Sequence, residues 1–131
     1  MHVFVIEDNT DTRVLLADVL AHCDAVVSAY VSAELALADL DRIMPTVLVC
    51  DLAMPGLDGL EFMRRLRERP RERGGLLPAI AVTAFYEEFA APAARAAGYT
   101  AYLMKPVRIE VLCQLIGDLA RSSTDERSPA A

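Results

Sequence analysis

The stretch VLVCDLAMPGLDG, residues 47–59, decides how this chain is read. Its first four residues, Val47–Cys50, form a continuous apolar run that ends on a carboxylate at Asp51. A short run with no polar alternation suits a strand covered on both faces, as strands of a parallel sheet are. The Met54-Pro55-Gly56 that follows is turn chemistry. Cys50 neighbours Asp51 but points to the opposite side of its strand, so it is read as core. Two further runs of the same kind lie outward from this one, Val3–Ile6 and Ala79–Val82. Two weaker ones, Ala25–Tyr30 and Tyr99–Met104, mix Tyr with small residues.

The intervening segments carry helical periodicity. In Thr10–His22 the polar residues Asp11, Asp18 and His22 share a stripe apart from Leu15, Leu16, Val19 and Leu20. Phe62, Met63 and Leu66 oppose Glu61, Arg64, Arg65 and Glu68, and Ile109, Leu112, Ile116 and Leu119 make a core stripe in Arg108–Arg121. Ser32 is placed to cap a short helix through Leu40, and an Ala-rich stretch stops at Gly98. Pro92 falls inside that stretch, so the fourth helix is expected to start late, after irregular chain through about Phe89. The order is strand–helix repeated, which predicts an α/β fold: a five-stranded parallel sheet with helices on both faces. The strand order is taken as 2-1-3-4-5, a common doubly wound arrangement that periodicity itself does not reveal.

At 131 residues the chain is one domain, expected over residues 1–121, with 122–131 (SSTDERSPAA) as a disordered tail. The composition, 54% hydrophobic and 24% charged with mean hydropathy +0.30, supplies a core. A net charge of −6 gives no general basis for gripping nucleic acid or an anionic membrane. The longest uncharged run, Gly74–Tyr86, is too short and too interrupted to span a bilayer. The beginning, MHVFVIEDN, turns acidic without a basic lead, so no signal peptide is expected. Cys23, Cys50 and Cys113 lie far apart with no CxxC spacing and read as reduced thiols of a cytoplasmic protein.

Ligands of an open parallel sheet bind beyond the carboxyl ends of its strands. Glu7, Asp8 and Asn9 follow the first strand, Asp51 ends the third, Thr83 follows the fourth, and Lys105–Pro106 follows the fifth. Converging carboxylates repel unless a cation sits among them, and hard oxygen ligands suit Mg²⁺. With a hydroxyl and an ammonium added, the set would hold a phosphoryl group on one of the carboxylates. Singly, each feature has a plainer reading. Glu7–Asp8 is then a solvated strand end, Asp51 a turn cap, Thr83 a satisfied hydroxyl and Tyr102 core filler.

Taken together, these residues resemble a response-regulator receiver domain of two-component signalling, over residues 1 to about 121. The resemblance implies that Asp51 is the phosphoacceptor. It implies Mg²⁺, with Mn²⁺ as an alternative, held by Asp8, Asp51 and the Ala53 backbone carbonyl, with Glu7 acting mainly through water. Thr83, with Ala84 beside it, and Lys105 would contact the phosphoryl group. Thr83 and Tyr102 would be the switch pair, and Lys105–Pro106 would be a cis peptide. The donor would be a phosphohistidine on a sensor histidine kinase or a histidine phosphotransfer protein. The output would be a docking surface around the fourth helix, fifth strand and fifth helix for a downstream protein, with no direct nucleic-acid or membrane contact. Such a module is not an enzyme in the ordinary sense, although it would phosphorylate itself and slowly lose the group. It would act alone by docking or as part of a longer regulator or kinase.

One departure is that Ala53 and Phe85 are apolar where the family borders the phosphoryl site, which implies slow hydrolysis. Two other classes compete with this reading. An aspartate-nucleophile phosphohydrolase of the haloacid dehalogenase type needs a second Asp two residues after its nucleophile, and Ala53 stands there. A degenerate receiver that binds partners constitutively has no need of the acidic set.

Overall fold

The structure, a computed structural model, describes residues 1–127, with side-chain surroundings through Ser122. Five strands alternate with five helices: β1 His2–Ile6, α1 Thr10–Ala21, β2 Val26–Tyr30, α2 Ala33–Asp39, β3 Val47–Asp51, α3 Gly59–Arg67, β4 Ala79–Thr83, α4 Ala91–Ala97, β5 Ala101–Met104 and α5 Ile109–Arg127. A 3₁₀ turn, Arg71–Arg73, links α3 to β4. The strands are parallel in the order β2-β1-β3-β4-β5, as expected.

Alternation along the strands divides the core into two layers. Phe4, Ile6, Leu48, Cys50 and Ala81 face α2, α3 and α4 and pack with Ala36, Phe62, Met63, Leu66 and Ala94. Val3, Val5, Val47, Val49, Ile80 and Val82 face the other way, onto Leu16 and Leu20 of α1 and Leu112 and Ile116 of α5. Each large side chain buried in these layers stabilises the fold by about 1.5–3 kcal/mol. Three helices open on side-chain caps. Asn9 accepts from Thr12 N at 2.9 Å, Ser32 from Leu35 N at 3.3 Å and Asp58 from Glu61 N at 2.9 Å.

The late start of the fourth helix is observed. Phe89 N donates to Phe85 O in a loose turn, and α4 begins at Ala91 with Pro92 in its first turn, where no intrahelical N–H is required.

Four expectations are corrected. β5 begins at Ala101 rather than Tyr99, because Gly98, at φ 121°, and Tyr99 still close the end of α4 by donating to the Ala94 carbonyl. Ile109 is 50% exposed, outside the core stripe that Leu112 and Ile116 form, as the first residue of α5. Residues 122–127, expected as tail, are helical: α5 continues to Arg127 through residues that include neither Gly nor Pro. Of the expected tail, residues 128–131 lie outside the described residues. Finally, Cys23 and Cys113 are not separate thiols but a disulfide. Their separation of 90 residues hides the pairing, because only the topology brings α1 and α5 together on one face of the sheet. Cys50 is the free cysteine, and it is buried.

Candidate functional site

The acidic set is assembled at the carboxyl ends of the central strands. Parallel pairing places Ile6 beside Cys50, and Cys50 beside Ala81, so the residues leaving β1, β3 and β4 emerge together. Glu7, Asp8 and Asp51 each bring a carboxylate oxygen into one cluster, these oxygens all within 4.8 Å of one another. Glu7 is 1% exposed and Asp51 6%, an unusual degree of burial for carboxylates.

Lys105 is the cation that faces them. Its Nζ donates to Glu7 Oε1 at 2.5 Å and lies 3.5 Å from Asp51 Oδ2. The Lys105–Pro106 peptide is cis, and Lys105 N donates to Thr83 O at 2.9 Å, so the end of β5 is tied to the end of β4. Asp51 Oδ1 accepts from Ala53 N at 3.2 Å, which holds the carboxylate toward the start of the β3–α3 loop.

One ammonium does not balance the set. Burial above all, then the hydrogen bond and charge of Asp51, push the Glu7 carboxyl from 4.5 up to about 7 against the opposing pull of Lys105. Burial draws the Lys105 ammonium down, but its hydrogen bond to Glu7 and the charges of Asp51 and Glu7 outweigh that, and the net direction is up. Glu7 Oε2 is buried without a hydrogen-bond partner. A buried acceptor lacking a donor, among clustered carboxylates, fits a hard divalent cation bound by oxygen.

Thr83 is fully buried, and its Oγ1 accepts from Phe85 N at 2.9 Å. Half-buried Tyr102 donates its hydroxyl to Phe89 O at 2.6 Å. The β4–α4 loop is therefore fastened at one end to Thr83 and at the other to Tyr102. Ala84 is exposed beside Thr83, and Ala53 is half-buried beside Asp51. Phe85 is 56% exposed, so its ring stands largely in solvent and does not close the site.

Two contributors were missed in the sequence. Arg13 Nη1 donates to Glu7 O at 3.0 Å and to Asp8 O at 3.4 Å, bracing the acidic turn from the first turn of α1. Its spacing, six residues after Glu7 and just inside a capped helix, was the available signal. Gly59 was quoted only as the end of a motif. A Cβ there would lie 2.6 Å from Asp51 O and 2.7 Å from Leu52 Cα, so α3 can approach the end of β3 only without a side chain.

A family model for the response regulator receiver domain matches residues 3–117. An uncharacterised 14.6 kDa protein of Leptolyngbya boryana is 42% identical over 116 residues, covering 88% of this chain and 87% of that protein. The positive alginate biosynthesis regulatory protein of Pseudomonas aeruginosa is 33% identical over 124 residues, covering 92% of this chain but 48% of that longer protein. Among solved structures, the receiver domain of sensor histidine kinase PA1611 from Pseudomonas aeruginosa, described with a magnesium ion in its active site cleft, superposes with a TM-score of 0.83 at 23% identity, covering 92% of this chain and 97% of that one. With the sheet order, the acidic cluster and the family match in agreement, the chain belongs to the response regulator receiver domain family.

Proposed function

We propose that the domain takes one phosphoryl group onto Asp51 from a phosphohistidine of a sensor histidine kinase or a histidine phosphotransfer protein, and that the modification changes the surface made by α4, β5 and α5. The observation that carries this reading is the Asp51 carboxylate, nearly buried yet held between Ala53 N–H and the Lys105 ammonium, with Glu7 and Asp8 beside it. Asp8, Asp51 and the Ala53 carbonyl would hold Mg²⁺, or Mn²⁺, with Glu7 reaching it mainly through water. When bound, that cation offsets charge on the carboxylates and on the phosphoryl oxygens. Lys105 would pair with the phosphoryl group, and the Thr83 hydroxyl and the Ala84 N–H would donate to its oxygens.

The hydrogen bonds of the β4–α4 loop suggest how the signal leaves the site. Turning the Thr83 hydroxyl toward a phosphoryl oxygen gives up its bond from Phe85 N, and turning Tyr102 inward gives up the bond to Phe89 O. Both ends of one loop would then be released together, next to α4. A cytoplasmic location and a protein docking target complete the reading, with no direct contact to nucleic acid or membrane. The net charge of −6 supports the absence of nucleic-acid contact.

An excess of acetyl phosphate tests the class. A receiver forms one adduct per chain and loses it slowly, whereas a phosphohydrolase turns over freely. Free turnover would overturn the proposal.

The lifetime of the adduct is a further expected result. Water attacks an acyl phosphate in line with the leaving carboxylate oxygen, so something must hold that water. Ala53 offers no polar side chain, and Phe85 none either. Installing Ala53→Asn with Phe85→Glu should accelerate phosphoryl loss at least about tenfold, a barrier change of roughly 1.4 kcal/mol. The check is phosphoryl loss followed by intact mass at fixed Mg²⁺. An unchanged or slower rate with the fold intact would mean that these side chains do not set the lifetime.

A further inference from the structure

Cys23 follows the end of α1 and Cys113 lies in α5, two helices that pack on one face of the sheet, and neither cysteine belongs to the acidic cluster. Their Cα atoms are 6.0 Å apart, within the span a disulfide bridges. Both residues are only half-buried, so a small thiol or disulfide can reach them. Cys50 differs: it is wholly buried, and burial above all pushes its thiol up to about 12.

We infer that Cys23 and Cys113 form a reversible thiol–disulfide site that exchanges with small-molecule disulfides of the glutathione type and latches α5 to the end of α1. The reduced state is accommodated, because the Val19 carbonyl lies 3.4 Å from Cys23 Sγ and can accept its S–H. Cys23 follows the end of α1, and Cys113 lies near the start of α5. In one order of events Cys113 attacks first. Its thiolate bonds to one sulfur of glutathione disulfide, that S–S bond breaks, and one glutathione leaves as thiolate. The Cys23 thiolate then attacks the Cys113 sulfur and expels the second glutathione. The two protein thiols lose two electrons and two protons, and glutathione disulfide gains both, giving two glutathione molecules.

The bond closes a loop across most of the domain, since its ends are 90 residues apart. Such a cross-link removes freedom chiefly from the unfolded chain. It also joins helices that already share a core layer through Leu16, Leu20, Leu112 and Ile116. The α5 amides should therefore exchange with solvent more slowly when the pair is oxidised. Any effect on the α4–β5–α5 output surface rests on the receiver reading, whereas the exchange chemistry does not.

The test uses the full chain, held first in oxidised glutathione and then in excess reduced glutathione. Thiols are counted by alkylation after unfolding and read by intact mass. Of three cysteines, only Cys50 should be alkylated after oxidation and all three after reduction. Cys23→Ser and Cys113→Ser should each lose the oxidised state, and Cys50→Ala should keep it. Reduction should lower the unfolding midpoint of the wild type by about 10 °C and leave either Ser variant unmoved. Three alkylated thiols under oxidising conditions would overturn the inference. So would a bond that survives excess reduced glutathione, or oxidation that stops at a glutathione adduct. No phosphoryl label is used, so this result stands or falls apart from the receiver reading.

Discussion

Gly59→Ala should destabilise the domain by about 3 kcal/mol or more and remove most of its capacity to be phosphorylated. The added Cβ would meet Asp51 O at 2.6 Å and Leu52 Cα at 2.7 Å, and both are backbone atoms of the segment that presents the Asp51 carboxylate. No rotamer change relieves such a clash. Either α3 withdraws from the sheet or the end of β3 moves. Withdrawal would also loosen the Gly59 N donation to Leu52 O, at 3.0 Å, and the Tyr99 hydroxyl donation to Gly59 O, at 2.7 Å. Alanine is the better helix former by about 1 kcal/mol, which offsets only part of this cost. Urea unfolding and acetyl phosphate labelling check the two halves of the expectation. A variant within about 1 kcal/mol of wild type that labels fully would show that α3 does not need this approach.

Lys105→Met should cost the cation-free protein about 3 kcal/mol at pH near 8, and much less in acid. Methionine keeps an apolar stem but leaves Glu7, Asp8 and Asp51 facing one another without the ammonium. The direction with pH follows from Glu7. Its folded value, about 7, lies above its ordinary value of 4.5, so the folded state binds the proton more tightly than the unfolded chain. Stability is greatest with Glu7 protonated and is lost as pH rises through that range. Without Lys105 the folded value moves higher, so the loss becomes larger and extends further toward alkaline pH. Millimolar Mg²⁺ should restore part of the stability at high pH by binding only the folded state. The measurement is the urea midpoint of both proteins across this pH range. A penalty that is constant with pH, or grows in acid, would show that Glu7 is not the group Lys105 restrains.

The sheet was legible because β1, β3 and β4 are buried on both faces, so their apolar runs are unbroken. The helix faces were legible where one stripe meets the sheet, as with Phe62, Met63 and Leu66. Boundaries were less so. Tyr99 carries a strand-like side chain but serves the close of α4, and Ile109 keeps the apolar period of α5 while standing exposed at its start. The acidic set could be read because Glu7 and Asp8 follow β1 and Asp51 ends β3, neighbouring strands whose ends the topology brings together. Arg13 was harder to read, since it acts through backbone carbonyls and only its spacing after Glu7 hints at the contact. The Cys23–Cys113 pairing was hidden for a related reason: it depends on which helices share a face, and neither cysteine lies in a motif.

The central claim is that Asp51 is the one phosphoacceptor. Intact mass of the full chain after acetyl phosphate and Mg²⁺ tests it most directly, on the wild type and on Asp51→Asn in parallel. Asparagine is close in shape and can still accept from Ala53 N, which now bonds Asp51 Oδ1 at 3.2 Å, so the fold should hold. The account predicts a single added phosphoryl group on the wild type, absent without Mg²⁺, and none on Asp51→Asn. An adduct of full strength on Asp51→Asn would contradict it.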